Sequence, residues 1–142
     1  MIYDAAIIGG GPAGSTAATL LAQNGRKVVL IEKEKFPRYH VGESLMPYCY
    51  FTLERLGLVE ELMASDVPKK YSVQFASQDG KISEPFYFFQ HQDHPSSTTW
   101  QVWRSDFDNL ILKRARAEGA LILEETKAKA LITTGDRITG LK

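Results

Sequence analysis

Cysteine occurs once in these 142 residues, at Cys49, so no intrachain disulfide can form and folding needs no oxidising compartment. Net charge is missing as well. Lys plus Arg and Asp plus Glu number 17 each, which leaves no basic field to hold a phosphate polymer or an anionic membrane. Nucleic acid is therefore not an expected partner. Long apolar runs are also absent: the first, over residues 2–8, carries Asp4, lacks a basic flank and meets Gly9 at once, too short for a secretory signal or a membrane span. No internal repeat, low-complexity tract or long linker interrupts the chain. These absences predict a cytoplasmic globular protein, and a composition 44% hydrophobic and 24% charged suffices for a real core.

The expected fold is α/β, Rossmann-like, three-layer and nucleotide-binding, and periodicity supplies its βαβ beginning and a β-rich insertion. Residues 2–8 read as a buried parallel strand stopped by Gly9-Gly10-Gly11. From Pro12 a helix follows, with Ala17, Leu20 and Leu21 as its apolar positions and Asn24-Gly25 as its stop; residues 28–31 form a second buried strand. Residues 48–56 and 58–63 read as helical turns broken at Gly57, with Leu53, Leu56, Leu62 and Met63 facing the core. Tyr71, Val73 and Phe75 then alternate with polar residues, Asp79-Gly80 turns the chain, and residues 82–89 return as a hairpin partner. Residues 105–118 form a helix opened by a Ser105/Asp108 capping box, with Phe107, Leu110, Ile111 and Ala115 on one face. Strands are expected over residues 120–123 and 127–134, the latter with Ala128, Ala130 and Ile132 on one side, and Gly135-Asp136 turns into residues 138–141. The chain stops at Lys142 without cap or polar tail, which predicts a piece of a longer protein truncated at its C-terminus.

Gly9, Gly11 and Gly14 stand as G-x-G-x-x-G after a strand and at the mouth of a helix, the context a dinucleotide fingerprint requires. Gly9 permits the tight turn, Gly11 clears space for a pyrophosphate, and Gly14 allows close packing of helix on strand. Pro12, Ala13 and Ser15 complete the helix start, where the free N–H groups and the dipole favour phosphate. Glu32 closes the second strand about 20 residues on, where a carboxylate accepts ribose hydroxyls; Lys33 follows it. The fingerprint by itself serves FAD and NAD equally. Residues 36–47, FPRYHVGESLMP, add a loop bracketed by Pro37 and Pro47, with Arg38, His40, Gly42, Glu43 and Ser44 crowded into it.

Other constellations carry less. His91 and His94 around Asp93 lack the further ligands zinc takes, and read as loop residues. Phe86 to Phe89, Trp100 and Trp103 read as core aromatics, and Cys49 as a buried small hydrophobe. Glu43 and Ser44 belong to no visible hydrolytic triad.

The fingerprint, Glu32, the HVGES core of the loop and the run WQVWRSDFDNLILKRARAEGA together resemble the flavin-dependent halogenases and their FAD monooxygenase relatives, over nearly the whole chain. The related geranylgeranyl reductases carry a Cys-Gly-Gly pattern where HVGES stands, so the resemblance selects FAD over NAD. It implies an FAD-dependent oxidoreductase that uses reduced flavin and oxygen to halogenate or hydroxylate a small-molecule substrate, with a separate flavin reductase as partner. The alternatives are a geranylgeranyl-reductase-like enzyme and an inactive, truncated nucleotide-binding module. The resemblance further implies that Arg38 lies near FAD, that Val41, Gly42, Glu43 and Ser44 lie near the isoalloxazine or its channel, and that Arg104, with Gln101 close by, meets the ADP portion. It also implies a lysine that receives hypohalous acid, and Lys70 in KKYSVQF is the positional match, although Lys69-Lys70 by residue type alone reads as a pair of solvated loop charges.

Two family features are missing. There is no WxWxIP signature, Trp100-Gln-Val-Trp103 being a helix-leading segment, and there is no second FAD motif, Gly135-Asp136 reading as a hairpin turn. The expected arrangement is one FAD-binding domain portion over residues 1–142: an ADP-binding start (1–35), a flavin-side loop and helices (36–66), the β-rich insertion (67–103), and a helix with strands (104–142).

Overall fold

A computed structural model describes residues 2–142. In chain order its elements are β1 (Ala5–Ile8), α1 (Pro12–Gln23), β2 (Val28–Ile31), α2 (Cys49–Arg55), α3 (Val59–Ala64), β3 (Lys69–Lys70), β4 (Ser72–Val73), β5 (Phe86–Tyr87), β6 (Thr99–Trp100), α4 (Arg104–Ala117), β7 (Leu121–Leu123), β8 (Leu131–Thr134) and β9 (Arg137–Leu141). Short 3-10 turns occupy Phe88–Gln90 and Pro95–Ser97. The chain divides into two compact units, residues 2–41 with 103–142, and residues 42–102.

The first unit is built on a parallel sheet of order β1-β2-β7. Its register sets Ala5 beside Val28 and Ile7 beside Leu30, which has Ile122 on its other side. That face takes the helices: Val28 and Leu30 pack with Ala18 of α1, Leu112 and Ala115 of α4, and Phe36 and Ala120. The opposite face carries Ala6, Ile8, Leu121 and Leu123, and Ile8 there is 59% exposed. The β8–β9 hairpin completes the unit, with Ile132 and Ile138 exposed.

Several local expectations are corrected. In α1 the buried positions are Ser15, Ala18 and Thr19, while Ala17 is exposed. Two hydroxyls sit inside because Ser15 Oγ donates to the Gly10 carbonyl (2.8 Å) and Thr19 Oγ1 to the Ser15 carbonyl (2.8 Å), so neither is left unsatisfied. The capping box does not form: Trp103 is the N-cap, no side chain caps α4, and Asp108 is fully buried in an ion cluster described below. The strand expected from residue 127 begins only at Leu131, because the ladder lasts only as long as the partner strand, and Leu131 pairs with Leu141 at its end.

In the second unit, Leu53, Leu56, Leu58 and Leu62 are buried and Met63 is exposed. Leu58 and Leu62 lie four residues apart on one side of α3, and Met63 follows a further 100° around. The expected hairpin exists as β4 paired with β5, extended by an Ala76–Ile82 bridge. Its aromatics do not form a core as a group: Phe88 and Trp100 are buried, whereas Phe86, Tyr87, Phe89 and Trp103 are exposed. Short ladders leave one face of each strand without a covering layer, so only one aromatic of the run turns inward. Cys49 is partly exposed rather than buried. Among the described residues no helix is long and apolar enough to cross a membrane.

Candidate functional site

The turn from β1 into α1 depends on its glycines for two different reasons. Gly9 adopts φ of +100°, which L side chains rarely reach. A Cβ at Gly14 would stand 2.0 Å from the Gly9 carbonyl oxygen and 3.2 Å from Ile7 Cγ2, so only glycine lets α1 seat on β1. Gly11 has an ordinary φ of −68°, and a Cβ there would meet only Arg38 Nη2, at 3.6 Å. Its missing side chain leaves space between the helix start and a guanidinium. Pro12 has no N–H, α1 has no acidic residue in its first turn, and the remaining first-turn N–H groups at Ala13 and Gly14 have no intrahelical partner. This end of the helix keeps its positive potential. Ser15, counted among the binding residues from sequence, spends its hydroxyl inside the turn on Gly10.

Glu32 is buried at the end of β2, where Oε2 accepts the Gly10 N–H (2.6 Å) and Oε1 the Glu34 N–H (2.9 Å). Each oxygen has a second lone pair left to accept a hydroxyl. Lys33 beside it is exposed. The start of the 36–47 loop is pinned to the end of β7: Glu124 Oε1 accepts the Phe36 N–H (2.8 Å) while Oε2 pairs with Arg116 (2.8 Å). The Phe36 N–H, and secondarily Arg116, hold the Glu124 carboxyl below the usual carboxylate range.

Asp108 is the residue that sequence reasoning placed wrongly. Arg104 grips it with two bonds, Nε to Oδ1 at 2.7 Å and Nη2 to Oδ2 at 3.0 Å, and Arg38 Nη1 lies 3.3 Å from Oδ2. Two cations thus share one anion with no exposure. The signal available in sequence was the i,i+4 spacing of Arg104 and Asp108 on one helix. Arg38 is held further by Glu34 (3.2 Å) and by the Phe36 ring beneath its guanidinium (4.7 Å to the centroid). Its Nη1 is nevertheless buried without a hydrogen bond of good geometry. Arg104 also donates to the Val41 carbonyl through Nη1 (2.8 Å), next to exposed Val41 and His40. With Glu34 counted, two guanidiniums balance two carboxylates, and the nitrogen beside Gly11 is Arg38 Nη2, a guanidinium donor placed where an anion could be taken.

In the second unit the GES part of the loop is extended rather than irregular. The Val102 N–H donates to the Glu43 carbonyl (2.8 Å), the Leu45 N–H to Trp100 (3.0 Å), and Ser44 forms a bridge with Gln101. The next ribbon is β3, which pairs Lys69 with Trp100 and Lys70 with Thr99, while the Gln101 N–H donates to the Pro68 carbonyl (2.8 Å). This three-ribbon pairing carries Ser44 to Lys70 across 26 residues of sequence: Lys70 Nζ donates to Ser44 Oγ at 2.7 Å and to the Leu45 carbonyl at 3.2 Å. Nζ also lies over the Phe88 ring (5.5 Å) and 3.7 Å from Met46 Sδ. Partial burial pushes the Lys70 amine below the usual 10.5, against a smaller opposing effect of the nearby Cys49 thiol. Lys69, by contrast, is exposed. Gly42, at φ of +109°, and Gln101 are both exposed.

The two loop histidines have structural partners. His94 Nδ1 accepts the Ser96 N–H (3.1 Å) as the cap of a 3-10 turn, and the His91 ring stacks on Phe86 at 4.0 Å. Among the described residues no group of three or more His, Cys, Asp or Glu could hold a metal ion.

Residues 4–136 match the family model described as tryptophan halogenase. The sulochrin halogenase gedL of Aspergillus terreus is 41% identical over 121 residues, covering 85% of this chain and 22% of the relative. The 1H-pyrrole-2-carbonyl-[peptidyl-carrier protein] brominase of Pseudoalteromonas luteoviolacea is 38% identical over 138 residues, covering 97% of this chain and 32% of the relative. Among solved structures, the myxobacterial chondrochloren halogenase CndH, described as an FAD-dependent halogenase, superposes with a TM-score of 0.90 at 33% identity, covering 98% of this chain and 32% of that one. The flavin-dependent halogenase CmlS superposes at 0.81 with 40% identity, covering 93% of this chain and 24% of that one. The chain thus spans between a fifth and a third of the length of these relatives.

Proposed function

This chain belongs to the tryptophan halogenase family, and we propose on that premise that it is the nucleotide-binding portion of an FAD-dependent oxidoreductase that uses reduced flavin and oxygen to halogenate a small organic substrate. The residues of the first unit suit the ADP half of FAD. The first-turn N–H groups of α1 would take the pyrophosphate, in the space that Gly11 leaves open. Arg38 Nη2, the guanidinium nitrogen nearest Gly11, would donate to the same anion, and Arg104 would keep Asp108 paired. Glu32 would accept the ribose hydroxyls and repel a 2′-phosphate. Gly42, Glu43, Ser44 and Gln101 belong to the second unit, and their assignment to the flavin side rests on family resemblance.

Bound FAD, once reduced, supplies the oxygen chemistry that turns chloride or bromide into hypohalous acid. The observation that carries halogenation over reduction is Lys70, a partly buried lysine aimed by Ser44 Oγ and the Leu45 carbonyl. Its free amine attacks the halogen of hypohalous acid, water departs after taking a proton from Nζ, and the halogen is held on nitrogen for delivery to the substrate. Reduced flavin would come from a separate reductase in a reducing cytoplasm, a setting that the lone Cys49 suits.

Titration of FAD into the purified chain, followed by the flavin spectrum and by competition with ADP, tests the cofactor reading. Saturable FAD binding displaced by ADP is expected. Arg38→Ala is expected to weaken it about 10- to 100-fold, the value of one charge-assisted contact, while Arg104 keeps Asp108 paired and the fold intact. No FAD retention by the wild-type chain would overturn the reading. Retention without halide-dependent turnover, given a reductase and aromatic acceptors, would favour a nucleotide-binding module without chemistry of its own.

A further inference from the structure

Among the described residues, Met46 carries the one sulfur within hydrogen-bonding distance of the lysine that the proposed function uses. Its Sδ lies 3.7 Å from Lys70 Nζ, while the Ser44 hydroxyl and the Leu45 carbonyl fix the same Nζ from the preceding two residues. Three successive side-chain or backbone groups of the GES–Leu–Met ribbon thus surround one amine. A thioether is a soft, oxidisable base and contributes little as an acceptor for an ammonium, so hydrogen bonding alone gives it no reason to be there. Next to an electrophilic halogen its role changes, because sulfur takes halogen from nitrogen readily.

We propose that Met46 is the oxidative sink of Lys70, accepting the halogen from the lysine haloamine when no substrate takes it and becoming methionine sulfoxide. The proposal rests on the reading of Lys70 as the residue that receives hypohalous acid, which is the oxidant. The steps balance. Nζ–H2 and HOCl give Nζ–HCl and water. Sδ then attacks the chlorine, the N–Cl bond breaks with its electron pair going to nitrogen, and nitrogen takes a proton. Water adds to the chlorosulfonium and chloride and protons leave, so the net change is haloamine plus thioether plus water to amine, sulfoxide and HCl. Sulfur is oxidised by two electrons and the halogen is reduced to halide. Lys70 is restored, and the sulfoxide is of the kind that methionine sulfoxide reductases return to thioether.

The molecule contains its own control. Met46 is 49% exposed and Met63 is 42% exposed, so indiscriminate oxidation would mark the two about equally. Met63 sits on α3 with no contact to Lys70 among the described hydrogen bonds. The Cys49 thiol is close enough to influence Lys70 and competes for the oxidant, so the test is run in Cys49→Ala as well as in the wild-type chain.

Hypochlorous acid is added to the full, flavin-free chain in rising sub-stoichiometric portions, and peptide mass spectrometry reads sulfoxide at Met46 and Met63 and chlorine on Lys70. Sulfoxide at Met46 is expected to exceed that at Met63 by at least about fivefold, a modest yield for a reaction made intramolecular. In Lys70→Arg, which keeps the positive charge and the stem but has no free amine, the ratio is expected to fall to about one; Lys70→Gln serves as a second variant. Chlorine on Lys70 with equal oxidation of the two methionines would overturn the role of Met46 and leave the lysine reading standing. Preference for Met46 that persists in both lysine variants would overturn the relay, since the thioether would then be reactive by itself. No chlorine on Lys70 and no preference would sink both readings together.

Discussion

Lys70→Ala is expected to lower halide-dependent product formation about 10²- to 10⁴-fold, the range for a positioned proton-transfer or nucleophilic group, while FAD affinity stays within about twofold. The separation is expected because Lys70 bonds to Ser44 and Leu45 and lies over Phe88, none of them a candidate ADP residue. Lys70→Arg is expected to be as inactive as the alanine variant, because a guanidinium stays protonated and has no lone pair to give. An active Lys70→Arg enzyme would mean that a positive charge suffices and would remove the haloamine from the proposal. Steady-state turnover with a reductase, halide and an aromatic acceptor is the measurement.

The same lysine makes the reaction depend on pH in a defined direction. Its folded pKa lies below 10.5, so at a given neutral pH a larger fraction is free amine than for an ordinary lysine. Capture of halogen is expected to rise with pH and to level off before 10.5, and a nitrogen-15 titration of Nζ would read the same midpoint directly. Stability moves with the same sign. The fold binds this proton less tightly than the unfolded chain does, so the penalty for charging Lys70 is fully present below its folded pKa and fades as pH rises from there to 10.5. Glu124 works at the acid end: its carboxyl is depressed below 4.5, so its contribution is present above that value and is lost as pH falls through the folded pKa, which releases Phe36.

Gly14→Ala is expected to cost more than about 4 kcal/mol, a large part of the roughly 5–15 kcal/mol that holds a domain folded. The new methyl would lie 2.0 Å from the Gly9 carbonyl oxygen, a backbone atom with no rotamer to escape into. Moving Gly9 would break its N–H bond to the Ile31 carbonyl (2.8 Å) and strain the β1–β2 ladder. Moving α1 would open the packing of Ala18 on Val28 and Leu30. Chemical denaturation and thermal melts should show the loss, and FAD binding should disappear with it. Gly11→Ala is the companion: its Cβ meets nothing closer than 3.6 Å, so stability is expected to change by less than about 0.5 kcal/mol while FAD affinity falls. If Gly14→Ala melted like the wild type, the close seating of α1 on β1 would be wrong. If Gly11→Ala bound FAD normally, the pyrophosphate would lie elsewhere.

Much of this protein was legible without coordinates because the information is local. A strand ending in Gly9-Gly10-Gly11, a helix opening at Pro12 and an acid closing the next strand are bounded by short-range rules of backbone freedom, capping and apolar period, and β1, α1, β2 and α4 formed within a few residues of where those rules place them. The HVGES core likewise pointed to the halogenases by residue identity alone, and the match over residues 4–136 agrees. What failed locally did so where burial competes with polarity. Ser15 and Thr19 look like surface residues and are buried, and Met63 looks like core and is exposed, because the choice depends on which neighbour arrives from elsewhere in the chain.

Three decisions belonged to the tertiary structure alone. Asp108, which local spacing assigns to a helix cap, became the shared anion of Arg38 and Arg104, since only folding brings residues 38 and 108 within 3.3 Å. The GES segment, irregular as a string of letters, became one ribbon of a ladder when residues 100–102 paired beside it. That same pairing separated Lys70 from Lys69, two identical side chains in adjacent positions. Alternation of a strand sends neighbours to opposite faces, and the face that received Lys70 held Ser44, Met46 and Phe88. Local sequence determined which elements exist and what they could bind, while long-range pairing decided which lysine became partly buried and which stayed exposed.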